Sequence, residues 1–166
     1  MSDINVNIFY AIQDGGWGGA NQFLKALRNE FISKQIYTDN PENANIILFN
    51  AHHHANLVFK LKQMYPNKIF IHRMDGIYKL YNTKKDTRQN VSIQINNLAA
   101  NATVFQNNWS KQEYIKDGFK IDKPHAIISN SVDNKIFNTN YKKTTSEKIR
   151  LVCTSWSTNK NKGRST

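Results

Sequence analysis

Residues 5–31 read NVNIFYAIQDGGWGGANQFLKALRNEF, and a change of period inside them decides the fold. Asn5 to Ile12 alternates and is rich in β-branched and aromatic residues, which is the two-residue period of a strand. It runs straight into a glycine-rich turn. Beyond the turn Phe23, Leu24, Leu27 and Phe31 recur at three- and four-residue steps, so the spacing predicts a helix from Ala20 to Phe31 with one apolar stripe. A strand that feeds such a helix through a glycine turn is the first β-α unit of a layered sheet.

The succession repeats downstream. Ile46 to Phe49 (IILF) is a short continuous apolar run, as expected of a parallel strand buried on both faces, and Pro41 keeps the loop before it open. That strand ends on Asn50-Ala51-His52-His53-His54. Ala55 to Tyr65 carries Leu57, Val58, Leu61 and Met64 at helical spacing and is stopped by Pro66; Lys68 to Ile71 (KIFI) is the next strand, capped by His72-Arg73-Met74-Asp75-Gly76. A helix from about Thr87 to Asn101, a strand Thr103 to Gln106, a helix Ser110 to Lys116 and a strand Ala126 to Ile128 follow. Strict alternation with short connections specifies an α/β fold: a Rossmann-like parallel sheet with helices on both faces. Ligands of such sheets bind where the strands deliver their C-terminal ends. The glycine turn, the histidine triplet, HRMDG, QNNWS and SNSVD each follow a predicted strand, so five loops are expected on one rim.

Composition bounds the rest. The chain has 166 residues, about one domain's worth, and 39% hydrophobic residues are enough for a core while 21% charged residues are too few for a disordered polyelectrolyte. No apolar run is long enough to span a bilayer, and Asp3 stands where a signal peptide would be basic, so a cytoplasmic location is expected. The lone Cys153 forms no intrachain disulfide and no multi-cysteine metal site. The net charge of +11 comes from 23 Lys and Arg against 12 Asp and Glu. The lysines are scattered rather than striped, which does not favour nucleic acid, while an anionic ligand or membrane surface, with membrane association, stays open. Residues 1–137 read as the domain proper, Asn138 to Lys148 (NTNYKKTTSEK) as a linker, and Ile149 to Thr154 (IRLVCT) as a strand that opens a truncated further unit through residue 166.

Individual motifs suggest chemistry. Gly15, Gly16, Gly18 and Gly19 remove four Cβ atoms where a strand meets a helix, which suits contact with a phosphate or a sugar nucleotide; a tight turn alone accounts for one or two of them. A dinucleotide fingerprint starting at Gly16 would need a small residue where Asn21 stands, although Asp39 lies near the distance of a ribose-gripping acid. His52, His53 and His54 are adjacent and have no carboxylate at ligand spacing, so they read as a polar loop end and not as a metal site. His72 and Asp75 follow a predicted strand directly and are expected to project over the rim, the imidazole to polarise a hydroxyl and the carboxylate to orient it.

Taken in order, GGWGGANQFLKAL, NAHHH, IHRMDGIY, ANATVFQNNWSKQEYIKDGF, HAIISNSVDNKIF and KIRLVCTSWSTNKNKG resemble the amino-terminal half of family 4 (group 1) glycosyltransferases of the GT-B fold. The resemblance covers nearly the whole chain and is most specific from VFQNNWSK through SNSVDNKIF. It implies the acceptor-side domain of a retaining enzyme that moves a sugar from a nucleotide-sugar donor to a hydroxyl of a glycan, lipid or protein, with no cofactor and no metal. It implies a catalytic role for His72, with Asp75 the second candidate, and donor contacts from Gly15, Gly16, Gly18, Gly19 and Lys162. His53, Asn107 and Trp109 are the acceptor-side candidates. Ser157 stands where the family usually has arginine, Ser131 where it has glycine, and the paired glutamates of the second domain have no counterpart here, so the 166-residue chain alone is expected to be inactive. A non-catalytic module for an anionic glycan or nucleic acid, and a dinucleotide-binding domain, are the alternatives.

Overall fold

A computed structural model describes residues 4–15, 17–81 and 85–130. The linker at 138–148, the strand expected at Ile149 to Thr154, and Gly16, Ser131 and Lys162 lie outside the described residues. Five strands, β1 (Val6–Phe9), β2 (Ile46–Asn50), β3 (Ile69–Met74), β4 (Ala102–Phe105) and β5 (His125–Ile127), form one sheet in the order β1-β2-β3-β4-β5. Every pairing is parallel, with Phe9 opposite Phe49, Phe49 opposite His72 and Arg73 opposite Val104. The connections carry α1 (Gly19–Ser33), α2 (Ala55–Met64), the short α3 (Tyr78–Tyr81), α4 (Arg88–Ala99) and α5 (Asn108–Lys116). The α/β reading of the sequence therefore holds.

Successive strand residues point to opposite faces, and two cores record it. On one face Leu24 of α1, with Phe23, Leu27 and Phe31, packs on Ile8, Leu48 and Ile71. On the other, Val58 of α2 and Ile95 and Ala99 of α4 cover Ile47, Phe49 and Phe70, and Tyr114 of α5 joins Met74 and Phe105. Fully buried side chains among them, such as Leu24, Ile47, Phe49 and Phe70, each contribute about 1.5–3 kcal/mol from water exclusion.

A rudimentary sixth strand was not legible. Tyr37 forms a parallel bridge to Val6, with the Val6 amide donating to Ile36 (2.7 Å) and the Thr38 amide to Val6 (3.0 Å). Those groups of Val6 face away from β2, whose Ile46 amide donates instead to Asn5 (3.1 Å). The chain thus leaves β1 on one side and returns on the other, so β1 borders a topological switch point.

The largest boundary differences are at β1, which ends at Phe9 where Ile12 was expected, and at β3, which continues to Met74 where a loop was expected from His72. Polar residues read as loop because a buried polar group without a partner is costly, but here His72 is partnered by Ala51 and Asn96, and Arg73 by Asn50, Asp75 and Asn130.

Candidate functional site

Parallel pairing puts the C-terminal ends of all five strands on one edge, where the glycine turn, the histidine triplet, Asp75, Gln106 and Asn130 follow them. The edge is held together by a polar cluster centred on β3. Arg73 is 2% exposed; its Nη1 donates to Asn50 Oδ1 and to Asp75 Oδ1, both at 2.6 Å, and its Nη2 to Asn130 Oδ1 at 3.0 Å. Its guanidinium also lies over the Phe23 ring of α1, 4.3 Å from the centroid. Asp75 is 8% exposed and accepts three further bonds, from Asn50 Nδ2 (2.9 Å), Gln106 Nε2 (3.0 Å) and the Tyr78 hydroxyl (3.3 Å). One carboxylate thereby ties together the ends of β2, β3 and β4, and Arg73 adds the segment after β5. Such a buried pair is tolerated because almost every lone pair and proton is matched.

His72 is not on the rim. It lies inside β3, 0% exposed, stacked on Phe49 with ring centroids 4.3 Å apart. Its Nε2 bonds the Ala51 carbonyl (3.0 Å), which can only accept, so Nε2 carries the proton; Nδ1 accepts from Asn96 Nδ2 (3.0 Å), which also donates to Thr103 Oγ1 (2.7 Å). Burial pushes its pKa down to about 3, against the weaker opposing pull of the Ala51 carbonyl. The expectation that His72 projects over the rim is corrected: strand alternation turns it into the α2–α4 layer, and it is Asp75, three residues on, that reaches the edge.

The buried imidazole has a local consequence. Ala51 adopts φ 48° and His54 φ 55°, and the loop between them is anchored through His72 and through the Ala51 amide, which donates to the Arg73 carbonyl (2.8 Å). The loop carries an aromatic row along the edge: Tyr10 to His53 at 5.0 Å, His53 to His52 at 4.3 Å, His52 to Tyr78 at 5.1 Å, and the Arg88 guanidinium over Tyr78 at 4.7 Å. Burial, with His53 beside it, brings the His52 pKa down to about 4, and burial lowers His53 as well, so both rings are neutral near pH 7. Burial and the Asp75 charge raise the Tyr10 and Tyr78 phenols, which stay protonated donors.

The remaining sequence candidates have plainer surroundings. Gly15 sits at φ 93° and needs to be glycine for its backbone alone, whereas at Gly19 a Cβ would meet nothing within 4 Å. Gly18 is the N-cap position of α1. Asn21, the misfit to a dinucleotide fingerprint, clamps this turn: its Oδ1 accepts from the Gln13 amide (2.8 Å) and its Nδ2 donates to the Gln13 carbonyl (2.9 Å). Asn107 caps α5, its Oδ1 accepting from the Ser110 amide at 2.7 Å, so that side chain is already engaged. Trp109 on α5 and Trp17 in the glycine turn are 50% and 59% exposed. Among the described residues no group of three or more His, Cys, Asp or Glu could hold a metal, and no helix is long and apolar enough to cross a membrane.

Sequence reasoning missed Asn50, Arg73, Gln106, Asn130 and Tyr78 as site residues. The available signal was position: the first four stand at or within three residues of a strand's C-terminal end, inside the very loops expected to converge.

No family model, curated protein or solved structure matches the chain. The reading of its function rests on the sequence and this geometry.

Proposed function

We propose that this chain supplies the acceptor-side domain of a retaining glycosyltransferase, which transfers a sugar from a nucleotide-sugar donor to a hydroxyl. One observation supports this above the others: a carboxylate fixed by four donors stands at the C-terminal edge beside a row of neutral aromatic rings. Flat apolar faces next to fixed hydrogen-bonding groups suit the alternating C–H and O–H faces of a sugar ring. Asp75 is the catalytic candidate in this reading, with the Tyr78 hydroxyl and Gln106 amide fixing where its lone pairs point. His72 is a positioning residue, setting the Ala51 to His54 loop and hence the His53 ring. The glycine turn and Lys162 are the proposed donor-phosphate contacts, the lysine matching leaving-group charge as it develops.

A non-catalytic polyanion-binding module is the reading to test against. Saturation-transfer NMR of the chain with simple glycosides and with single-stranded DNA, at low and high salt, separates the two. Glycoside contact with the Tyr10, His53 and Tyr78 rings that persists at high salt is expected. Binding of DNA alone, falling steeply with salt as released counterions require, would overturn the proposal.

A further inference from the structure

A cavity lies beside β1, sharing Tyr10 with the aromatic row, and takes in the one motif left unused above. It has a volume of about 350 Å³ and wraps the outer edge of β1, between Arg28 of α1, Asp39 and the start of α2. The bridge to Tyr37 stops at Val6 while β1 runs on to Phe9, so the strand's free edge forms one wall. At the lower end of the roughly 300–1,000 Å³ typical of ligand pockets, it has room for a ligand of nucleoside size.

The polar corner of this cavity is built. Asn7 is buried, and its Nδ2 donates to the carbonyls of Thr38 (2.9 Å) and Asp39 (3.1 Å), which pins the Asp39 backbone to the strand. Burial, then the Asp39 carboxylate, pushes the Tyr37 pKa up to about 12, so its hydroxyl remains a donor. The Asp39 carboxylate, like any other, offers about four acceptor sites. Two buried polar atoms of the lining residues, Asn7 Oδ1 and Arg28 Nε, have no hydrogen-bond partner among the described residues. The opposite wall is apolar and aromatic, with Pro41, Leu57 and the edge-to-face pair of Phe9 and His54.

We propose that this cavity is a ribonucleoside site: the Asp39 carboxylate accepts both hydroxyls of the ribose cis-diol, and the base lies against the Phe9, Pro41 and Leu57 wall. Three observations converge on it. An acid follows a β-strand, glycine turn and helix, it stands beside the edge of β1 that faces away from β2, and it borders a cavity with orphaned polar groups. The proposal does not rest on the glycosyltransferase reading, and it stands or falls separately from it.

The test is a heteronuclear NMR titration of the full chain with adenosine, 2′-deoxyadenosine and methyl glucoside, repeated with Asp39→Asn. Asp39 is exposed, so the variant is expected to melt as the parent does. Adenosine is expected to shift the amides of Ile8, Ala11, Ile12 and Leu57. Binding should weaken about tenfold to a hundredfold for the deoxy compound and for Asp39→Asn, the range of a lost hydrogen bond to a charged group. The deoxy comparison reads the same contact in the unaltered protein, whatever the variant does. No binding at millimolar adenosine, equal binding of the deoxy compound, adenosine shifts clustered elsewhere, or preference for the glucoside at the Ile8, Ile12 and Leu57 amides would each overturn the proposal.

Discussion

His72 shows how much one side chain's surroundings decide. Its pKa is near 3 in the folded chain against about 6.5 in the unfolded one, so between these values the unfolded state binds the extra proton. The stability this residue protects is complete above about pH 6.5 and is lost as pH falls toward 3, with a slope of about 1.4 kcal/mol per pH unit. His72→Gln keeps an amide N–H for Ala51 and an acceptor for Asn96, and denaturation followed across this range should show a flatter acid limb. An unchanged limb would place the acid sensitivity elsewhere. The Arg73–Asp75 pair makes the complementary case. Asp75→Ala leaves a guanidinium buried with too few acceptors, and urea titration should show a loss of about 3–5 kcal/mol, much of it recovered when Arg73→Met is added. The two residues also mark the limit of reading residues from sequence. That HRMDG follows an apolar run is visible, but which member turns inward depends on how far the strand continues, and only Asn50 and Ala51 at the end of β2 and Asn96 on α4 settle that.

At the scale of elements, period and punctuation carried most of the information. The α1 stripe, the double-faced β2 and the Pro66 stop all lie where apolar spacing and backbone chemistry put them, because each depends on neighbours in sequence. What was not legible depends on neighbours in space: the Tyr37 bridge is one residue long, and α3 is a single turn beside Asp75. The end of α1 shows sequence and structure in local disagreement. Gln35 occupies the left-handed position, φ 56°, while its amide donates to Ile32 (3.0 Å) and the Ile36 amide to Phe31 (3.0 Å), the paired bonds that glycine usually closes. Gln35→Gly should therefore stabilise the chain by about 0.5–1 kcal/mol, since relief of side-chain strain outweighs the added freedom of the unfolded state. A lower melting temperature for this variant would show that the Gln35 side chain makes a contribution larger than its backbone cost.

For the whole molecule, an all-parallel sheet turns five separate loops into one surface, and that consequence was available from alternation alone. The chemistry of the surface was available only in part: Asp75 and His53 were named from the sequence, whereas the hub that holds them, Arg73 with Asn50, Gln106 and Asn130, draws on four strands and has no signature in any one of them. The proposed activity needs a reacting hydroxyl held in place, and the hub supplies fixed hydrogen-bonding groups at the edge for that role. The direct measurement is sugar transfer by the chain supplied with a donor-binding glycosyltransferase domain, which the proposal requires, across a panel of nucleotide-sugar donors and simple glycoside acceptors, with Asp75→Asn measured beside it. Hydrogen exchange on both proteins establishes that β2 and β3 stay protected. Transfer by the parent, reduced a hundredfold or more in a folded Asp75→Asn protein, is the predicted result; no transfer from any donor, or an Asp75→Asn protein as fast as the parent, would contradict it.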